Sequence, residues 1–219
     1  GGIVGVTKNM YVYEIYKDDK LNDIIIVDCG IGFPKEKELG VDFVIPDISY
    51  LMDKKQFIRA ILITHGHEDH TSALSLLYDE LGRPPVYASL LTSMFIENKF
   101  KDKHKKITVN RVDFNKEYVF GDFRVSYLKM THSIPDTTHI IIKSPVGVIY
   151  HGSDFKLDLT PPYGPSPDFY KIAKAGHDGV LCLLSDCLGS EREGLTLSEN
   201  IVGQTFEDEM RKTKGKFIM

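Results

Sequence analysis

Apolar positions along this chain fall into short dense runs and a few stretches of helical spacing. The runs at 58–63 and 180–184 predict strands buried on both faces, where no polar alternation is needed. Residues 10–15 and 24–27 are β-rich, and the polar run Lys17-Asp18-Asp19-Lys20 between them reads as a turn. Residues 118–120 and 123–130 flank Gly121-Asp122, a hairpin signal. Residues 140–143 and 146–150 flank Ser144-Pro145 in the same way, and 86–88 is a further short strand. Leu74, Leu77 and Leu81 have helical spacing, which predicts a helix over 73–81 ended by Gly82 and Pro84. Helices are also predicted over 90–100, 167–175 and 198–212, the last amphipathic, with Ser198 as N-cap and Glu199 complementing the dipole. Residues 216–219 look like the start of another strand, and an apolar segment cut short suggests a fragment.

Composition narrows this little. The chain has 219 residues, 42% hydrophobic and 26% charged, enough for one large domain or two small ones. No apolar run approaches the roughly 20 residues of a membrane-spanning helix. No signal peptide opens the chain, although Gly1 is not a natural start. Cys29, Cys182 and Cys187 form no metal-binding spacing and are expected to be reduced and mostly buried, in a cytoplasmic protein. The net charge of −4 argues against a general basic surface for nucleic acid, without excluding a local field from bound cations.

Chemistry concentrates in Thr64-His65-Gly66-His67-Glu68-Asp69-His70, directly after the apolar run 60–63. Imidazoles and carboxylates at this density are ligands for zinc or a similar divalent ion, and Gly66 is expected to permit the turn that lets them converge. Three other apolar strands end in the same manner, delivering Asp28, His132 and Asp154. Four strand ends carrying such residues suggest one shared face. Of the remaining histidines, His151 is expected to be a partly buried strand residue, His104 a solvated one among lysines, and His139 and His177 carry no motif.

The pattern HxHxDH, then a distant His and a distant Asp, resembles the metallo-β-lactamase superfamily. Within it, the chain is most similar to the ribonuclease J branch of the β-CASP nucleases. The similarity rests on Asn9-Met10-Tyr11, Asp28-Cys29-Gly30, Pro46-Asp47-Ile48-Ser49-Tyr50, Thr131-His132-Ser133-Ile134-Pro135-Asp136, Asp154-Phe155-Lys156 and Leu184-Ser185-Asp186. Departures are Gly5 and Thr7 in the opening glycine-rich pattern, Ser153 before Asp154 in place of Gly, and Cys187-Leu188-Gly189 after Asp186.

The resemblance implies an α/β fold of four layers, αββα, with the site on loops at one edge of two face-to-face sheets. It implies that His65, His67 and His132 hold one metal, Asp69 and His70 a second, and that Asp154 bridges them. Asp69 and His70 would then be catalytic, Asp28 would orient a ligand imidazole, and Asp186 would either help position a ligand or begin a turn. The implied activity is zinc-dependent hydrolysis of RNA phosphodiesters, in 5′-to-3′ exonuclease and endonuclease modes, with Mn2+ or Mg2+ as other ions. The implied partners are single-stranded RNA and, through oligomerisation, another copy or a sister nuclease. Residues 1–219 would form the first part of the domain. The β-CASP insertion and a later ligand His would lie outside it, leaving an unpaired sheet edge and a second metal held weakly or not at all. Two other readings use the same residues: a hydrolase of a small lactam, lactone or thioester, and a non-catalytic subunit that binds RNA or a nuclease.

Overall fold

A computed structural model describes residues 5–218. Among these residues, ten strands form two five-stranded sheets. The first, in order β1 (Tyr11–Lys17), β2 (Lys20–Val27), β3 (Ile58–Leu62), β4 (Val86–Ala88) and β5 (Val109–Arg111), is parallel except for the β1–β2 hairpin. The second runs β10 (Cys182–Leu184), β9 (Gly147–His151), β8 (Thr138–Ser144), β7 (Phe123–Lys129) and β6 (Glu117–Phe120). It is antiparallel except for the β9–β10 pair.

Side-chain alternation divides the apolar strands between three cores. Ile25, Val27, Ala60 and Leu62 meet Phe123, Val125, Tyr127, Ile140 and Ile142 between the sheets. The intervening Ile24, Ile26, Ile61 and Ile63 face away, packing with Leu74, Leu77, Ile96 and Phe100 of the helical layer formed by α1 (Glu68–Thr71), α2 (Leu74–Leu77) and α3 (Leu90–Asp102). On the far side, Leu128, Met130 and Ile141 pack with Ile172 and Ala175 of α4 (Phe169–Asp178). Period-two alternation thus gives every central strand an apolar residue on each face, which explains runs without polar breaks and produces the expected four layers, αββα.

Several expectations need correction. The helix predicted over 73–81 is realised only as α2, followed by turns, and the separate short helix α1 lies within the histidine motif. The strand at 180–184 is the edge strand β10, and Cys182 and Leu183 are exposed rather than buried, since no strand covers that edge among the described residues. Cys29 is buried, but Cys182 and Cys187 are exposed. The turn before β9 is Pro145-Val146, because Ser144 pairs with Gly147. Strand β5 gave no signal. Helix α5 (Glu199–Lys212) follows its predicted span, with the Ser198 hydroxyl accepting from Asn200 N–H, yet it buries no residue. Residues 216–218 carry no strand, and Met219 lies outside the described residues.

The helical layer is fastened to the first sheet by main-chain bonds. Asn9 N–H donates to Asp69 O (3.0 Å), Cys29 N–H to His70 O (2.8 Å) and Gly30 N–H to Asn9 O (2.9 Å). A Cβ on Gly30 would lie 1.5 Å from the Asp69 carbonyl oxygen, a main-chain atom that cannot step aside. Gly30→Ala is therefore expected to destabilise the fold by about 3 kcal/mol, at the upper end of overpacking costs. A urea-unfolding midpoint equal to that of the parent would contradict this packing.

Candidate metal centre

Strand direction explains where the polar residues gather. β2 and β3 are parallel, so Asp28 and the His65–His70 segment emerge at the same end of the first sheet. In the second sheet β7 is antiparallel to β8 and β8 to β9, while β10 is parallel to β9. His132, Asp154 and Asp186 therefore emerge together after β7, β9 and β10. The Thr64 carbonyl accepts from Thr138 N–H (3.0 Å) and the Thr138 hydroxyl (2.7 Å), which joins the two edges at the motif.

Donor atoms of His65, His67, His132 and Asp154 all lie within 4.8 Å of one another. His67 Nδ1 is 3.1 Å from His65 Nε2 and 3.2 Å from His132 Nε2. Ligand nitrogens around one tetrahedral zinc stand about 3.4 Å apart, given bonds of 2.0–2.1 Å. The donor set and its spacing thus fit a zinc-type ion. Next to it, His70 Nε2 lies 3.6 Å from Asp69 Oδ2 and 3.4 Å from Asp154 Oδ1, while Asp154 Oδ2 lies 3.6 Å from His132 Nε2. The two oxygens of Asp154 therefore face two different groups of donors, and a second ion would find Asp69, His70 and Asp154 around it.

Behind both groups stands Asp28, fully buried and in the left-handed region at φ 60°. Its carboxylate accepts from Thr64 N–H (2.8 Å), the Thr64 hydroxyl (2.9 Å) and His70 Nδ1–H (2.8 Å). With Nδ1 committed to Asp28, His70 presents Nε2 to the site. The same logic fixes His65. The Thr64 proton goes to Asp28 and the Ser153 hydroxyl donates to Thr64 Oγ1 (2.9 Å), so His65 Nδ1–H donates to these oxygens, 3.0 and 3.3 Å away. Its Nε2 lone pair is left facing His67 and His132.

Burial lowers the pKa of His65 and of His132, favouring neutral rings. Burial also opposes charge on His70, but Asp28 and Asp154 outweigh it and push His70 up to about 10. Burial raises the Asp69 carboxyl above its ordinary range. It acts the same way on Asp154, where His70, His132 and His67 outweigh it and hold the carboxyl low.

Asp186 is half-buried beside Asp154 in a hollow of about 450 Å³ that His70 and Tyr11 also line, and its carboxylate accepts from Leu188 N–H (2.8 Å), beginning a turn. A second hollow of about 650 Å³ lies on the other side, between His132 and α5. His151 is almost fully buried, its Nδ1 2.7 Å from the Tyr13 hydroxyl. His104 and His177 are exposed. Gly66 does not use a left-handed turn. A Cβ there would come within 2.7 Å of Phe95 Cδ2, so the glycine serves close packing instead. Sequence reasoning gave no role to Asn9, whose amide reaches His70 and Asp69, or to the hydroxyls of Thr64, Thr138 and Ser153, although Asn9, Thr64 and Ser153 stand in or beside the segments that carry the resemblance.

The sequence profile of the metallo-beta-lactamase superfamily matches residues 4–181, and the chain belongs to that superfamily. It is 40% identical over 220 residues to Ribonuclease J 1 of Streptococcus pyogenes, covering 100% of this chain and 38% of that protein. It is 36% identical over 221 residues to Ribonuclease J2 of Bacillus subtilis, covering 100% and 39%. The chain thus spans less than two fifths of the relatives it matches. A protein of unknown function from Enterococcus faecalis shares the fold, with a TM-score of 0.64 at 16% identity over 91% of this chain and 54% of that one.

Ion uptake should depend on pH differently at the two groups. A cation on His70 must displace a proton held up to about 10, whereas burial favours the neutral rings of His65 and His132. Affinity for a second Zn2+ should therefore rise about tenfold per unit between pH 6 and pH 8, with about one proton released, while affinity for the first changes less. Calorimetric titrations in buffers of different ionisation enthalpy measure both; equal pH dependence of the two ions would contradict the assignment.

Proposed function

We propose that this chain is the metal-binding part of a ribonuclease J-like enzyme that hydrolyses RNA phosphodiester bonds. The observation that carries the reading is the convergence of His65, His67, His132 and Asp154 within 4.8 Å, in a chain 34–40% identical along its length to proteins named Ribonuclease J. In this reading His65, His67 and His132 would hold one zinc ion, Asp69 and His70 would hold a second, and Asp154 would serve both; Mn2+ and Mg2+ are the other candidates. Bound ions supply a water of lowered pKa and positive charge against the phosphate.

The side chains do the rest. Asp69, with its carboxyl raised by burial, is the better proton acceptor and takes the proton from the attacking water at its Oδ. Asp154, held low by its histidines, stays anionic. Asp28 keeps His70 turned inward, and the Thr64 and Ser153 hydroxyls do so for His65. With a net charge of −4, the chain has no general basic surface, so phosphate recognition is assigned to the site itself. The flanking hollows leave the site open on two sides, which suits a single strand of RNA. No helix among the described residues is long and apolar enough to cross a membrane. A cytoplasmic role in RNA maturation and decay, exonuclease and endonuclease modes, and assembly with another copy or a sister nuclease belong to the same proposal.

In the full-length protein, Asp69→Asn should slow cleavage of single-stranded RNA about a hundredfold or more, the range for loss of a general base. Unchanged cleavage would remove Asp69 from the chemistry. Faster turnover of a chromogenic lactam than of RNA would favour a small-molecule hydrolase. Metal-loaded protein that binds RNA without cutting it would favour a binding subunit.

A further inference from the structure

Asn9 is a buried polar side chain to which no role has yet been assigned. It is 5% exposed, and its main chain is fixed on both sides by the bonds to Asp69 O and from Gly30 N–H. That anchoring aims its carboxamide into the gap between Asp69 and His70. Nδ2 lies 3.0 Å from His70 Nε2 and 3.3 Å from Asp69 Oδ2. These separations are too long for a group standing where an ion would be, since ligand bonds are about 2.0–2.2 Å. They match instead the distance between two neighbouring ligands of one ion. The amide thus occupies a ligand corner of the second cation position, beside Asp69, His70 and Asp154.

A carboxamide can fill that corner in two ways. With its N–H inward, it donates to the Asp69 carboxylate. Against a cation, an inward N–H is repelled, and the oxygen is the end that binds. A half-turn of the amide exchanges the two ends, and its surroundings permit this. Oδ1 now accepts from the Tyr11 hydroxyl at 3.3 Å, and a hydroxyl can accept from N–H as readily as it donates to oxygen. The half-turn brings Oδ1 against Val6 O, which now accepts from Nδ2 at 2.9 Å, so the Val6 carbonyl must turn away; Val6 lies in an exposed bend rather than in a sheet.

We propose that Asn9 is a ligand of the second cation, which its Oδ1 meets after a half-turn of the carboxamide. This rests on the two-ion reading of the site, and it gives the second position a fourth protein donor from within this chain.

The test uses the 219-residue chain labelled with 15N-asparagine and titrated with Zn2+ to millimolar concentration, with calorimetry alongside. The first equivalent should leave the Asn9 side-chain amide signals nearly in place, and the second should shift them. Asn9→Ala should take up the first ion as the parent does and bind the second roughly ten- to a hundredfold more weakly, the cost typical of losing a supporting metal contact. Asn9→Asp, which supplies an oxygen in either rotamer, should bind the second ion more tightly than the parent. First-ion uptake by the variants serves as the check on their folding, and the amide signals of the parent need no variant. The proposal is overturned if Asn9→Ala keeps the parent's second-ion affinity, or if the amide signals stay fixed throughout. A parent that takes up one ion at His65, His67 and His132 but never responds at Asn9 overturns the Asn9 assignment alone. A parent that takes up no ion overturns the metal reading with it.

Discussion

The carboxylate of Asp28 is the constraint on which the site depends. A charge removed from water is tolerated only where donors replace its hydration, and here Thr64 N–H, the Thr64 hydroxyl and His70 Nδ1–H all do so. The left-handed backbone at Asp28 is a conformation that Asp adopts more readily than most residues, and three converging bonds hold it there. One oxygen pair therefore orients His70 directly and His65 through the Thr64 hydroxyl. Both groups of donors share a single buried support, although their residues lie far apart in the chain.

That support works because the topology brings strand ends to one place. The first sheet contributes Asp28 and the histidine motif after parallel strands. The second contributes His132, Asp154 and Asp186 after three strands that run the same way. The three apolar cores that hold the sheets in register carry no catalytic chemistry. They fix the position of the rim, and the rim residues need only short loops to meet.

Much of this was legible in the sequence, for definite reasons. Continuous apolar runs such as 24–27 and 140–143 become strands covered on both faces, and the residues following such runs become the rim. Legibility failed where a fact depends on distant neighbours. β5 is too short, with two exposed residues, to leave a periodic signal. The run at 180–184 reads as buried because its composition says nothing of what lies beyond the sheet edge. The need for Gly66 comes from Phe95, and that for Gly30 from the Asp69 carbonyl, so neither could be read from its local turn. The same holds for Asn9 and Ser153, whose partners lie about 60 and 90 residues away.

The seam between the sheets has a consequence of its own. His65 and His67 hang from one half of the sandwich, His132 and Asp154 from the other, and their donor atoms come within 4.8 Å. An ion gripped by all four would be a rivet through the two halves at the rim, opposing any sliding and parting of the sheets there. Loading would then change the molecule's mechanics as well as its chemistry: the metal-free protein would breathe at the mouth that must admit substrate, and the loaded one would hold that mouth at a fixed gape.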